Sequence, residues 1–212
     1  MTLAIPHSVF RFLASLFLIL GLSHGFVSES LSAEAKNSAD GSASPAPTPA
    51  SISAEARIAR AGSAEARIAR AGYERFKSLA GDWRGKSTRG WDEMTRFEVM
   101  AGGSTVMEIS DFAAHPGQKM ATMFHLDGDR LMLTHYCVAG NQPRLEATSF
   151  EDGGRTVIFT FRDATNLASR DEGHMDKAVF QFLDDDRYTT RWTFYRDGKE
   201  DWMEEIEMQR MR

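Results

Sequence analysis

The sequence predicts an all-β domain over residues 73–212, built as an antiparallel up-and-down barrel of about ten strands. Short runs rich in β-branched and aromatic residues recur along this part of the chain. Turn dipeptides that favour tight hairpins, such as Asp127-Gly128 and Asp197-Gly198, separate the runs. Some runs, such as 188–195, are apolar on both faces, which fits a closed wall with an apolar interior better than an open sandwich.

The elements follow from these runs in order. A helix of one or two turns is predicted over 73–80, ahead of the first strand. The predicted strands are 83–89, 95–100, 105–112, 119–126, 131–138, 144–150, 156–162, 177–183, 188–195 and 202–208.

Residues 1–25 have the pattern of a secretory signal peptide. Basic residues precede the apolar run Phe12–Leu22, and small residues follow it. The run is shorter than the roughly 20 apolar residues that a membrane-spanning helix needs, so cleavage is favoured over an uncleaved anchor. Cleavage is expected after Gly25, with Ser30 and Ala33 as later alternatives. The mature protein is therefore expected in the periplasm or outside the cell, with no membrane span.

Two further segments precede the predicted barrel. Residues 26–52 are rich in Ser, Ala and Pro and predict a disordered linker. Residues 53–72 contain one decapeptide written twice, composed mainly of strong helix formers. Because Gly62 and Gly72 end the two units, the repeat predicts two short helices or one interrupted helix. A duplicated linker turn is favoured over a docking surface made by its arginines, because two units fall short of a solenoid.

Composition excludes several classes of protein. A net charge of −5 argues against a dedicated nucleic-acid binder, which would carry a basic field. The single cysteine, Cys137, rules out an internal disulfide framework and a Cys-rich zinc site. The sequence also lacks a glycine-rich phosphate loop, a Gly-x-Ser-x-Gly elbow and a His-Glu-x-x-His motif.

The segment Leu79–Gly85 resembles the opening of lipocalin-like chains, in which a short helix leads through Gly-x-Trp into the first strand. The resemblance implies that Trp83 is structural and plugs one end of the barrel. Segments 123–144, 161–167 and 173–175 resemble a group of uncharacterised bacterial exported proteins with lipocalin-like barrels. This second resemblance implies a fold and export, and no reaction.

An apolar barrel interior predicts a small hydrophobic or amphipathic ligand, oriented by a few polar side chains. Tyr, His, Asn and Arg supply hydrogen bonds or charge, and Trp supplies an aromatic wall. The candidate ligand-binding residues are His125, His135, Tyr136, Asn141, His174, Arg191 and Trp192.

The face on which each candidate lies depends on one hairpin. If the loop at Asp127-Gly128 has three residues, His125 shares a face with His135 and Cys137. If the loop has two residues, His125 shares a face with Tyr136 instead. For Arg191, an inward carboxylate anchor and an outward surface charge are equally compatible with the sequence. Cys137 is expected to be a buried small hydrophobe rather than a nucleophile.

No cofactor is predicted. An alternative places haem iron or zinc on His125 or His135 together with His174, although no pair of histidines has a metal-binding spacing. The predicted function is an exported small-molecule-binding protein, and no catalytic residue is assigned. The alternatives are a weak enzyme that uses a cavity His as acid or base, and a ligand-free envelope interaction module.

Overall fold

The computed structural model describes residues 54–212. The predicted signal peptide and linker, residues 1–25 and 26–52, lie outside this described part. One α-helix, α1 (Ala54–Ser78), precedes a closed barrel of ten antiparallel strands. The strands are β1 (Gly81–Ser87), β2 (Asp92–Met100), β3 (Thr105–Phe112), β4 (Met120–Asp127), β5 (Arg130–Tyr136), β6 (Gln142–Glu151), β7 (Thr156–Thr165), β8 (His174–Phe182), β9 (Arg187–Arg196) and β10 (Lys199–Arg210).

Each strand pairs with its neighbours in sequence, and β1 closes the barrel by pairing with β10. The predicted class, all-β with an up-and-down barrel of ten strands, is confirmed. No helix within residues 54–212 is both long enough and apolar enough to cross a bilayer.

Helix α1 runs through Gly62 and Gly72 without the interruption that the repeat predicted. A glycine inside a helix costs about 1 kcal/mol relative to alanine, which tertiary packing outweighs here. The buried stripe Ala69, Tyr73 and Phe76 supplies that packing. A Cβ at Gly72 would lie 2.6 Å from a ring carbon of Phe150, so this glycine permits close approach rather than ending the helix.

The end of α1 closes one end of the barrel, called the closed end below. Phe76 is fully buried and stacks on Phe124, with ring centroids 4.3 Å apart. Trp83 lies nearby and donates a hydrogen bond from Nε1 to the Leu79 carbonyl at 2.7 Å. The Arg210 guanidinium lies over the Trp83 ring at 4.2 Å and donates to the Ala80 and Ser78 carbonyls. Trp83 thus has the plugging role that the lipocalin resemblance implied.

Aromatic side chains fill the interior next to this end. They pack mainly edge to face, the geometry that aromatic quadrupoles favour. The fully or almost fully buried rings are Phe76, Trp83, Phe97, Phe124, Phe159, Phe180 and Tyr188. The opposite end, called the open end, carries loops 88–91, 113–119, 137–141, 166–173 and 197–198.

Candidate functional site

A cavity of about 360 Å³ occupies the half of the barrel next to the open end. Strand alternation explains its lining, because every second residue of each strand points inward. Large apolar side chains from four strands form its walls: Phe112, Met175, Trp192, Phe194, Trp202 and Ile206. Polar side chains also line it, chiefly Glu93, Glu108, Ser110, Thr122, His135 and Glu204.

Three of these polar residues are carboxylic acids. Glu93, Glu108 and Glu204 are each less than a tenth exposed and lie on β2, β3 and β10. Thr95 Oγ1 donates to Glu93 Oε1 at 3.0 Å. The other oxygen of Glu93 and Oε1 of Glu204 have no hydrogen-bond partner within the described residues. Unpartnered buried acceptors are costly, so these oxygens mark a place where a donor is missing.

Burial and proximity change the acidity of two of the acids. Burial raises the pKa of Glu108 to about 8, and the negative charge of Glu93 adds to this shift. Burial likewise raises the pKa of Glu93 to about 7, against a smaller opposing hydrogen bond from Thr95. Arg89 Nε lies 3.5 Å from Glu204 Oε2. At pH 7, burial therefore favours the protonated form of Glu108 and, less strongly, that of Glu93.

His135 lines the same cavity. Its Nδ1 lies 3.0 Å from Thr122 Oγ1, and its ring packs against Trp192 with centroids 4.8 Å apart. Burial lowers the pKa of His135 to about 4, so the imidazole is neutral at pH 7. Its Nε2 is buried with no partner in the described chain. A neutral imidazole can offer that nitrogen as donor or acceptor, according to its tautomer.

The structure brings two of the seven sequence-predicted site residues, His135 and Trp192, into the cavity. Asp127 pairs with Arg130 across the hairpin, which corresponds to the two-residue loop. His125 and Tyr136 therefore lie on the outer face of the barrel.

Arg191 also lies on the outer face, where it pairs with Glu205 at 2.6 Å. Of the two alternatives that the sequence left open for Arg191, the outward surface charge is the one that the structure has.

His174 is fully buried but does not line the cavity. A β-bulge between Met175 and Lys177 reverses the alternation of β8, so that Met175 lines the cavity in place of His174. The His174 ring packs on Phe161, with centroids 4.7 Å apart, and its Nδ1 donates to the Glu172 carbonyl at 2.6 Å. Its burial lowers its pKa.

Asn141 connects two loops at the open end. Its Nδ2 donates to the Gly173 carbonyl at 2.8 Å, which joins loop 137–141 to loop 166–173. It lies outside the cavity lining. The position gives Asn141 a structural role at the rim of the barrel.

Cys137 lines the cavity two residues after His135, and its side chain is partly buried. Burial raises the pKa of its thiol, against smaller opposing effects of the Ala139 and Val138 backbone. A raised pKa lowers the fraction of thiolate at pH 7, so Cys137 reacts slowly as a nucleophile.

Sequence reasoning missed the three acids, because a charged residue in an antiparallel strand normally faces water. A signal was nevertheless present. Glu93 lies two residues before Thr95 and four before Phe97, all on one face of β2. Glu108 likewise shares a buried face of β3 with Val106, Ser110 and Phe112. Glu204 shares a buried face of β10 with Ile206 and Met208. A carboxylate in phase with core residues predicts an inward acid.

Within the described residues, no group of three or more His, Cys, Asp or Glu side chains is placed to hold a metal ion. Of the three histidines named in the haem and zinc alternative, only His135 faces the cavity. His125 and His174 lie elsewhere, so the described chain does not bring the proposed pair together in the barrel.

Comparison of the sequence with known protein families and with curated proteins gives no match. Solved structures to which this chain is similar include a protein with unknown function from the DUF3598 family of Nostoc punctiforme, with a TM-score of 0.43 and 10% identity. That similarity covers 64% of this chain and 49% of the other, so this chain spans about half of that protein's length. Rv2717c from M. tuberculosis gives a TM-score of 0.48 and 13% identity over 66% of this chain and 98% of that chain. EF1p2_mFAP2b bound to DFHBI gives a TM-score of 0.30 and 8% identity over 64% of this chain and 95% of that chain.

Proposed function

We propose that this protein binds a small amphipathic molecule inside the open half of its barrel. The observation that carries the proposal is a cavity of about 360 Å³ in which buried, unpartnered polar atoms of Glu93, His135 and Glu204 lie among aromatic walls. Sites for small molecules have this composition, since apolar surface provides affinity and a few polar groups provide orientation.

The packing of the two halves supports binding over a ligand-free interaction module. Next to the closed end, aromatic rings such as Phe124 and Phe180 are fully buried and pack edge to face. A barrel that served only as a scaffold would gain stability from similar filling at the open end. Glu93 and Glu204 instead retain buried oxygens without partners there, at a cost in stability. A bound molecule with hydrogen-bond donors would offset that cost.

We also propose that the protein acts after export, in the periplasm or outside the cell. The support is the sequence pattern of residues 1–25, in which an eleven-residue apolar run lies between basic and small residues.

Native mass spectrometry of the protein, expressed as the full chain and purified gently from its host, tests both proposals. We expect a native mass larger than the denatured mass by that of one small molecule, which fragmentation then identifies, haem included. We expect the denatured mass itself to lack residues 1–25. An unloaded native mass that persists after incubation with lipid, haem and metabolite extracts would contradict the binding proposal.

A pair of variants on β3 localises the binding. Ser110→Phe adds a ring inside the cavity, whereas Asp111→Phe adds the same ring on the exposed outer face of the next residue. Ser110→Phe is expected to lose the bound mass, and Asp111→Phe to keep it. Retention of the molecule by a folded Ser110→Phe protein would place the site elsewhere.

A further inference from the structure

We propose that the molecule held in the cavity carries a protonated amine, which Glu93, Glu108 and Glu204 bind while the aromatic walls hold its apolar body. This inference rests on the proposed function and adds the chemical class of the ligand. It starts from two observations inside the barrel: buried acids without basic partners, and buried acceptors without hydrogen-bond donors.

The charged groups around the cavity do not balance. Neither Glu93 nor Glu108 forms an ion pair with any Lys or Arg in the described chain. Glu204 pairs with Arg89, which comes from the open-end loop 88–91. Arg196 lines the rim, but Asp201 lies 3.8 Å from its Nε. Arg89 and Arg196 therefore each have an acidic partner, whereas Glu93 and Glu108 have no basic partner within the described residues.

The unpartnered hydrogen-bond acceptors of the cavity also favour a ligand with an ammonium group. Glu93 Oε2 and Glu204 Oε1 are buried acceptors without donors, and both side chains line the cavity. An ammonium group carries three N–H donors and no acceptor, which matches such a pair of oxygens. A carboxylate or phosphate ligand would instead meet like charge and add acceptors where donors are missing.

The walls suit the rest of such a molecule. Trp202 stacks on Phe194 with ring centroids 5.4 Å apart and an interplanar angle of 8°. Trp192 lies opposite Glu204 on the neighbouring strand. Arg89 and Arg196 already lie over the Trp202 and Phe194 rings, so these two rings provide mainly apolar contact. Aromatic faces attract cations as well as apolar groups, so Trp192 beside Glu204 favours an organic cation over a hydrated metal ion.

Proton release should accompany binding of a cation. Burial raises the pKa of Glu93 to about 7 and that of Glu108 to about 8, because it disfavours the charged forms. A nearby ammonium favours the ionised carboxylates, so the cation binds more tightly as the pH rises through this range. The other titratable groups facing the acids are His115 and His135, Cys137 and the deeper Tyr188. Burial keeps His135, Cys137 and Tyr188 neutral across this range.

Three probes with one phenylethyl body separate charge from shape: 2-phenylethylammonium, 2-phenylethanol and 3-phenylpropionate. Their dissociation constants are measured by calorimetry on the full chain at pH 6.0 and pH 8.5, where the amine stays protonated. At pH 8.5 we expect the ammonium to bind at least about tenfold more tightly than the alcohol, and the carboxylate to bind most weakly. Lowering the pH to 6.0 should weaken ammonium binding about tenfold or more and leave the alcohol unchanged.

Matched variants assign the effect to the interior acids. Glu93→Gln is expected to remove most of the preference for the ammonium, and to reduce its pH dependence, while 2-phenylethanol still binds. Retained binding of the alcohol shows that the variant is folded. Glu205→Gln, an identical change on the outer face of β10, should bind all three probes as the unmodified protein does.

The outcomes distinguish this inference from the proposed function. Equal or tighter binding of the alcohol or the carboxylate overturns the amine inference and leaves small-molecule binding in place. The same holds if the ammonium preference survives unchanged in Glu93→Gln. Failure of all three probes overturns the amine inference, and an unloaded native mass in addition would overturn binding itself.

Discussion

Glu93, Glu108 and Glu204 occupy inward positions that small barrels ordinarily fill with apolar side chains. Their burial means that the folded protein binds protons more tightly at Glu93 and Glu108 than the unfolded chain does. Such a group stabilises the fold most below its unfolded pKa, and the contribution is lost as the pH rises through the folded pKa. For these two acids, the loss falls between about pH 4.5 and pH 8.

This linkage gives a prediction for Glu108→Gln. Between pH 5.5 and 8.5, the free energy of unfolding, measured by urea denaturation, should decrease more for the unmodified protein than for the variant. The expected difference is on the order of 2 kcal/mol, because glutamine has no charge to bury. Glu205→Gln, whose parent side chain is partly exposed, is the control and should follow the unmodified protein. Parallel pH profiles for Glu108→Gln and the unmodified protein would show that Glu108 ionises freely.

At the residue scale, sequence reasoning found part of the site. It selected His135 and Trp192, which line the cavity, because polar and aromatic residues in a β-strand are natural ligand contacts. It selected His174 from the same type of signal, but a bulge in β8 turned that side chain away from the cavity. A bulge of one residue reverses which residues face inward, and no local pattern in the sequence specifies it.

At the scale of elements, the hairpins were predictable because their turn residues have few alternatives. Gly128 and Gly198 both adopt positive φ angles, as the Asp-Gly dipeptides predicted. Helix α1 was harder to predict, because two glycines suggested breaks that tertiary packing overrides. The burial of Phe76 and Tyr73 against the barrel is a long-range effect that local propensity does not contain.

The two glycines of α1 should respond in opposite ways to the same substitution. Gly62→Ala meets no atom within 4 Å and should stabilise the protein by up to about 1 kcal/mol through helix propensity. Gly72→Ala gains the same propensity but brings a Cβ to 2.6 Å from Phe150, and overpacking of this kind costs about 1–3 kcal/mol. Thermal denaturation of both variants should therefore place Gly72→Ala below Gly62→Ala. Equal stabilisation would mean that α1 does not pack closely on Phe150.

At the scale of the whole molecule, the closed half of the barrel interior serves stability, and the open half is the proposed binding site. The closed end combines the α1 contacts of Phe76, the buried Trp83 and the Arg210 hydrogen bonds, and aromatic rings pack closely there. The open end has less complete packing, and its loops surround a cavity with buried acids. A rigid closed end holds the inward side chains of the open end in place, which reduces the entropy lost on binding.

The most direct test of the account is the rate at which a small maleimide alkylates Cys137, with and without saturating 2-phenylethylammonium at pH 8.5. Cys137 is the single cysteine of the chain and lines the cavity, so its rate reports the occupancy of this site alone. If the ligand occupies the cavity, it slows alkylation about tenfold or more, and a Cys137→Ser protein incorporates no label. An unchanged rate, under conditions where calorimetry shows the ligand bound, would contradict this expectation by placing the binding site outside the barrel.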